Sequence, residues 1–154
     1  MECNGVLPTT QFSYQKGLGT CDALLCVSHT VQSALESGQE AMIVQIDFSA
    51  AFDRANHQGI LYRLCSVGIE VLCYLSVTKI TKFLSNRSQQ VMVDGCRSKL
   101  VEVVSGVPQG SAFGPLLFLL YTSELFSILE NKLIGYADDS TLMAVLLSPG
   151  VRLQ

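Results

Sequence analysis

Three aspartates in this chain stand where carboxylates can act together. Asp47 closes the apolar run AMIVQID, and Asp138 and Asp139 sit side by side in YADDSTL with apolar residues on both flanks. If the two runs are neighbouring strands, about 4.8 Å apart, the three acids converge within a few ångströms. Such a cluster repels itself unless it is protonated or neutralised by a cation. Oxygen-only donors without histidine or thiolate favour magnesium or manganese, and magnesium sites are commonly completed by substrate phosphates. A metal bridged to phosphate is the arrangement that supports two-metal phosphoryl transfer. An isolated pair of aspartates is also an ordinary turn signal. The apolar flanks and the matching IDFSAAFD set the metal reading beside that one.

The elements that must position these acids follow from periodicity. DALLCVSHTVQSALES reads as an amphipathic helix with Thr20 as its expected N-cap and Gly38 as its stop. Residues 41–47 form a short β-rich run, expected to be a buried strand ending at Asp47. Helical periodicity spans about 56–67 and about 70–84, closed by Gly68 and by the polar SNRSQ. QQVMVDGCRSKLVEV alternates around Asp94 and Gly95, a strong hairpin signal. Pro115 stands where a first helical residue is expected, opening PLLFLLYTSELFSILE. KLIGYA and STLMAVL then form a second hairpin pivoting on Asp138 and Asp139. The order α, β, α, α, hairpin, α, hairpin is an α+β pattern, with helices packed on a mainly antiparallel sheet.

Composition bounds the rest. With 154 residues, 49% hydrophobic and 15% charged, the chain suits one core-heavy domain or a piece cut from a larger body. The longest apolar run, PLLFLLY, is far below the roughly 18 residues of a membrane span. The start, MECNGVLPTTQ, shows neither a basic leader nor an apolar signal core, so the expected location is intracellular, nucleus or cytoplasm, and not secreted. Six cysteines lack CxxC pairs and zinc-finger spacing and are expected as reduced thiols. A net charge of −3 argues against holding nucleic acid by bulk charge. Lys79, Lys82, Arg87, Arg97 and Lys99 nonetheless cluster against the single acid Asp94, either as a solvated face or as a phosphate-contacting strip.

VQIDFSAAFDRANH, SGVPQGSAFGPLLFLLYTSEL and LIGYADDSTL, in this order, resemble the three central motifs of reverse transcriptases. More narrowly, they resemble those of LINE-like retrotransposons without long terminal repeats, and QFSYQKGLGTCDALL resembles the block that precedes them. The resemblance covers roughly residues 10 to 146. It implies a polymerase palm-like fold, with residues 1–40 ending the fingers and 41–154 forming the palm, while the thumb and most of the fingers are missing. It implies an RNA-directed DNA polymerase acting on an RNA template, a DNA primer and deoxynucleoside triphosphates with Mg2+ or Mn2+. Asp47, Asp138 and Asp139 would be catalytic and metal-holding, assisted by the backbone carbonyl of Phe48. Phe52 would exclude a ribose 2′-hydroxyl, Gln109 and Gly110 would lie against nucleotide and template, and Tyr136 would neighbour the primer end.

Ala112 and Phe113 stand where the family pattern leads one to expect aliphatic residues. With few basic residues and no thumb, this stretch alone is expected to grip template poorly at physiological salt. The alternative function is a noncatalytic remnant or captured domain that keeps the fold and acts by binding nucleic acid or protein. GVPQGSAFG lacks the lysine and hydroxyl residue of a P-loop. His29 and His57 are expected to be structural. Asp53 is expected to serve a local turn or to cap the helix after it.

Overall fold

The computed structural model describes residues 6–68, 74–129 and 133–146. In chain order the elements are α1 (Thr20–Glu36), β1 (Glu40–Ile46), α2 (Ala51–Arg54), α3 (His57–Ser66), α4 (Tyr74–Leu84), β2 (Arg87–Gln89), β3 (Met92–Val93), β4 (Cys96–Arg97), β5 (Val101–Val103), α5 (Phe113–Ile128), β6 (Leu133–Tyr136) and β7 (Asp139–Leu146). The expected α+β pattern is present: helices together with sheets whose strand pairs are all antiparallel. The chain divides into two compact units, Met1–Ser49 with Thr122–Gln154, and Ala50–Tyr121.

The first unit is built on a three-stranded sheet in the order β1-β7-β6. Its register runs from Glu40 opposite Leu146 to Ile46 opposite Ser140, and β6 pairs with β7 from Leu133 opposite Leu142 to Tyr136 opposite Asp139. Leu133 and Ile134 of β6 and Ser140 of β7 are buried. Residues 10–12 attach to the free side of β6: the Phe12 N–H donates to Gly135 O at 2.9 Å and the Gly135 N–H to Thr10 O at 2.9 Å. Helix α1 packs on β6 and β1.

Two expectations about these elements need correction. The N-cap of α1 is Gly19 rather than Thr20, and the Asp22 carboxylate reaches back to accept the Gly19 N–H at 2.7 Å. The helix stop is as expected: Gly38, at φ 67°, donates to Leu35 O while the Gln39 N–H reaches Ala34 O, the paired bonds of a Schellman motif. The run 41–47 does form a strand, but not a buried one. As the edge of its sheet it leaves Met42, Ile43 and Val44 between 42% and 48% exposed.

In the second unit α3 packs on α4. Asn56 caps α3 by accepting the Gly59 N–H at 2.9 Å. Gly59 is required there, because a Cβ would lie 2.6 Å from the ring of Tyr121. Helix α4 is described from Tyr74, so the expected start near residue 70 lies outside the described residues. The expected hairpin is present as two short ladders, β2 with β5 and β3 with β4, turning through Asp94 (φ 49°) and Gly95 (φ 80°). Two successive positive φ angles are the signature of the type I′ turn that an Asp-Gly pair favours.

Helix α5 begins at Phe113, two residues before the expected start. Ser111 Oγ accepts the Gly114 N–H at 2.9 Å, and Pro115 falls within the first turn, where its missing N–H costs nothing. No helix among the described residues is long and apolar enough to cross a membrane. Cys21, Cys26 and Cys96 carry free thiols, as expected, whereas Cys3 and Cys73 lie outside the described residues.

Candidate active site

The antiparallel register decides where the acids stand. The last pair of the β1–β7 ladder is Ile46 with Ser140, so Asp47, the residue after β1, and Asp139, the residue before Ser140, both adjoin the same end of that ladder. Tyr136 pairs with Asp139, which makes Ala137 and Asp138 the two turn residues and leaves Asp139 as the first residue of β7. The hairpin therefore pivots on Ala137 and Asp138 rather than on the two acids. Asp47 and Asp139 are exposed and Asp138 is half-buried, so all three can meet solvent-borne ions.

The donor set fits a hard divalent cation: carboxylate oxygens, with the Phe48 carbonyl adjacent to Asp47. Yet the described residues contain no group of three or more His, Cys, Asp or Glu side chains close enough together to hold a metal. The expected convergence of all three carboxylates is thus not met as a ready-made cluster. Asp138 stands in the turn itself, whereas Asp47 and Asp139 adjoin the last β1–β7 pair.

Ala137 is the unusual residue of this hairpin. Its φ of 58° is left-handed, a region that costs an L-residue about 1–2 kcal/mol. Both of its main-chain polar groups are held by side chains from residues 11–13. Its N–H donates to Ser13 Oγ at 2.8 Å and to Gln11 Oε1 at 3.3 Å, and its carbonyl accepts from Gln11 Nε2 at 3.4 Å. Sequence reasoning singled out neither Gln11 nor Ser13. Their signal was available: two polar residues alternating with Phe12, a strand-like pattern that turns polar groups to one face.

The second unit holds Phe52, Gln109 and Gly110. Phe52 lies in α2 with its ring 4.4 Å, centroid to centroid, from that of buried Phe118. The loop bearing Gln109 is laced to α2 by main-chain bonds, Gly106 N–H to Ala55 O at 2.8 Å and Val107 N–H to Phe52 O at 2.8 Å. Ser105 Oγ adds a bond to Asp53 O at 2.9 Å, and Gln109 Nε2 donates to the Asp53 carboxylate at 2.8 Å. Asp53 therefore anchors the Gln109 side chain and does not cap α3, a task Asn56 performs. Gly110, at φ 77°, is exposed at the loop tip.

His57 is structural, as expected: its Nε2 lies 2.8 Å from Gly106 O, which also accepts from Arg87 Nη2 at 2.7 Å. Arg87 spends a second donor on Leu84 O at 2.8 Å, so of the five clustered cations it is engaged with backbone, whereas Lys79, Lys82, Arg97 and Lys99 are exposed. An open groove of about 760 Å³ is lined by Asp53, Arg87, Glu102 and Gln109 among others. In the first unit a smaller hollow of about 240 Å³ borders Tyr136 and Asp139, with Thr20, Ala23 and Leu24 of α1 along its wall.

A family model described as "Reverse transcriptase (RNA-dependent DNA polymerase)" matches residues 2–149. The RNA-directed DNA polymerase from mobile element jockey of Drosophila funebris is 34% identical over 143 residues, covering 93% of this chain and 15% of that protein. Its counterpart of the same name in Drosophila melanogaster is 33% identical over 145 residues, covering 89% and 15%. The probable RNA-directed DNA polymerase from transposon X-element of Drosophila melanogaster is 30% identical over 125 residues, covering 81% and 13%. The chain thus spans between 13% and 15% of the length of these curated relatives.

Proposed function

Because the chain belongs to the reverse transcriptase (RNA-dependent DNA polymerase) family, we propose that it forms the catalytic palm of an RNA-directed DNA polymerase from a LINE-like retrotransposon. The observation that supports this reading is the β1–β7 register, whose last pair, Ile46 with Ser140, is adjoined by Asp47 and Asp139, beside the turn bearing Asp138. Asp47, Asp138 and Asp139, with the Phe48 carbonyl, would hold Mg2+ or Mn2+. Magnesium sites of this kind use one or two carboxylates and complete themselves with substrate phosphates, which suits a few open acids better than a closed protein cage. The ions, when bound, would activate the attacking oxygen and steady the leaving group in nucleotidyl transfer.

The remaining roles belong to the chain's own residues. Phe52, backed by Phe118, presents bulk that would exclude a ribose 2′-hydroxyl. Gln109, held by Asp53, and Gly110 would lie against the incoming deoxynucleotide and the RNA template. Tyr136, 36% exposed and adjacent to the turn, would neighbour the end of the DNA primer. In this reading residues 1–40 end the fingers and 41–154 form the palm, and the work is done inside the cell, in nucleus or cytoplasm.

Primer extension on an RNA template with deoxynucleotides and Mg2+ or Mn2+ tests the proposal. At low ionic strength, where the few basic residues of this stretch hold template best, the expected result is a DNA product that disappears in the Asp138→Asn, Asp139→Asn double variant. Product of equal yield from that variant would overturn it.

A further inference from the structure

The paired acids are carried on a turn that its own sequence does not favour. A two-residue hairpin turn with positive φ ordinarily recruits glycine, asparagine or aspartate at that position. Here alanine occupies it at φ 58°. A residue held in such a region persists when its surroundings over-determine it. The surroundings here are Gln11 and Ser13, which are 1% and 2% exposed.

Their hydrogen bonds form a closed set. Gln11 Oε1 accepts from the Ser13 N–H at 3.1 Å, from Ser13 Oγ at 3.0 Å and from the Ala137 N–H at 3.3 Å. Ser13 Oγ, its proton given to Gln11, accepts the Ala137 N–H at 2.8 Å. Gln11 Nε2 closes the ring on Ala137 O at 3.4 Å. The main chain clamps the same place, through the Phe12 and Gly135 bonds on the flank of β6. Gly135 leaves room for the latch, since a Cβ there would lie 2.7 Å from Gln11 Nε2 and 2.6 Å from the ring of Phe126.

We propose that Gln11 and Ser13 are positioning residues for the active site: by holding both main-chain groups of Ala137 they set the direction in which Asp138 and Asp139 leave the hairpin. They touch neither substrate nor metal, and act through the backbone of the turn. The inference rests on the metal-holding role proposed for these two acids. Its logic is that of supporting partners around a metal site, whose loss typically weakens metal binding by about tenfold or more.

The test uses this chain, isotopically labelled, as wild type, Ser13→Ala and Ser13→Thr, with two readouts. Amide hydrogen exchange at Ala137 reports the turn itself, and Mn2+ titration, followed by paramagnetic broadening of the Asp138 and Asp139 amides, reports the acids. Ser13→Ala removes one atom from a buried site, so the fold is expected to survive. The Gly135 amide, bonded to Thr10 O rather than to Ser13, serves as the internal control for that. The expected result is Ala137 exchange faster by about tenfold with Gly135 unchanged, and Mn2+ affinity weaker by about tenfold, both reversed in Ser13→Thr. Unchanged Ala137 exchange overturns the latch. Faster exchange with unchanged Mn2+ affinity overturns its link to the acids. Faster exchange in a wild-type background that takes up no Mn2+ overturns the metal-holding reading, and the purpose of the latch with it, while leaving the two failures distinguishable.

Discussion

At the scale of single residues, Phe52 answers to two demands. The family resemblance assigns its bulk to the discrimination of sugars, and the structure shows the same ring stacked on Phe118. Replacing it therefore removes an aromatic contact and, if the proposed role holds, a steric gate. Phe52→Val is expected to lower stability by about 1–2 kcal/mol, read as a fall in melting temperature. In a primer-extension assay the same variant should admit ribonucleotides alongside deoxynucleotides. Unchanged sugar selectivity together with the loss of stability would leave Phe52 as a packing residue only. The three acids and Phe52 could be nominated from the sequence because their types and order match the family motif. Gln11, Ser13 and the Asp53–Gln109 bond were not, since each depends on which backbone lies opposite, which spacing alone does not reveal.

At the scale of elements, the loop 105–110 and α2 behave as one laced piece. Gly106 shows how tightly: at φ 79° it also sits where a Cβ would come within 2.6 Å of the Asp53 carbonyl oxygen. Gly95 shares the positive φ, 80°, but a Cβ added there would meet nothing within 4 Å. Gly95→Ala should accordingly cost about 1 kcal/mol, the conformational penalty alone. Gly106→Ala adds a backbone displacement and should cost about 3 kcal/mol. Chemical denaturation of both variants measures the difference, and equal costs would show that the lacing yields easily. The Asp-Gly hairpin and the stop of α1 at Gly38 were readable from turn chemistry, whereas the expected starts of α1 and α5 were off by one and two residues. The burial of β1 was not, because an apolar run reads the same at a sheet edge as at its centre.

At the scale of the whole molecule, a low charged fraction of 15% does not translate into uniformly buried apolar surface. Leu24, Leu25 and Leu35 of α1, Met42 to Val44 of β1, and Val91 to Val93 beside the hairpin turn are all exposed. The family, the α+β class and the order of elements were nonetheless accessible from sequence, because the motif blocks cover nearly all of the chain. What the fold adds is the β1–β7 pairing, which brings Asp47 and Asp139 to the same end of one ladder, and it is on this placement that the proposed chemistry stands or falls. The most direct test is Mn2+ binding, followed by electron paramagnetic resonance with a deoxynucleoside triphosphate present, for wild type, Asp47→Asn and Asp139→Asn. The wild-type chain is expected to take up Mn2+, and each variant to bind it more weakly by about tenfold or more. Equal uptake by all three, or no uptake by the wild type, would contradict the assignment of these carboxylates to a metal-dependent polymerase site.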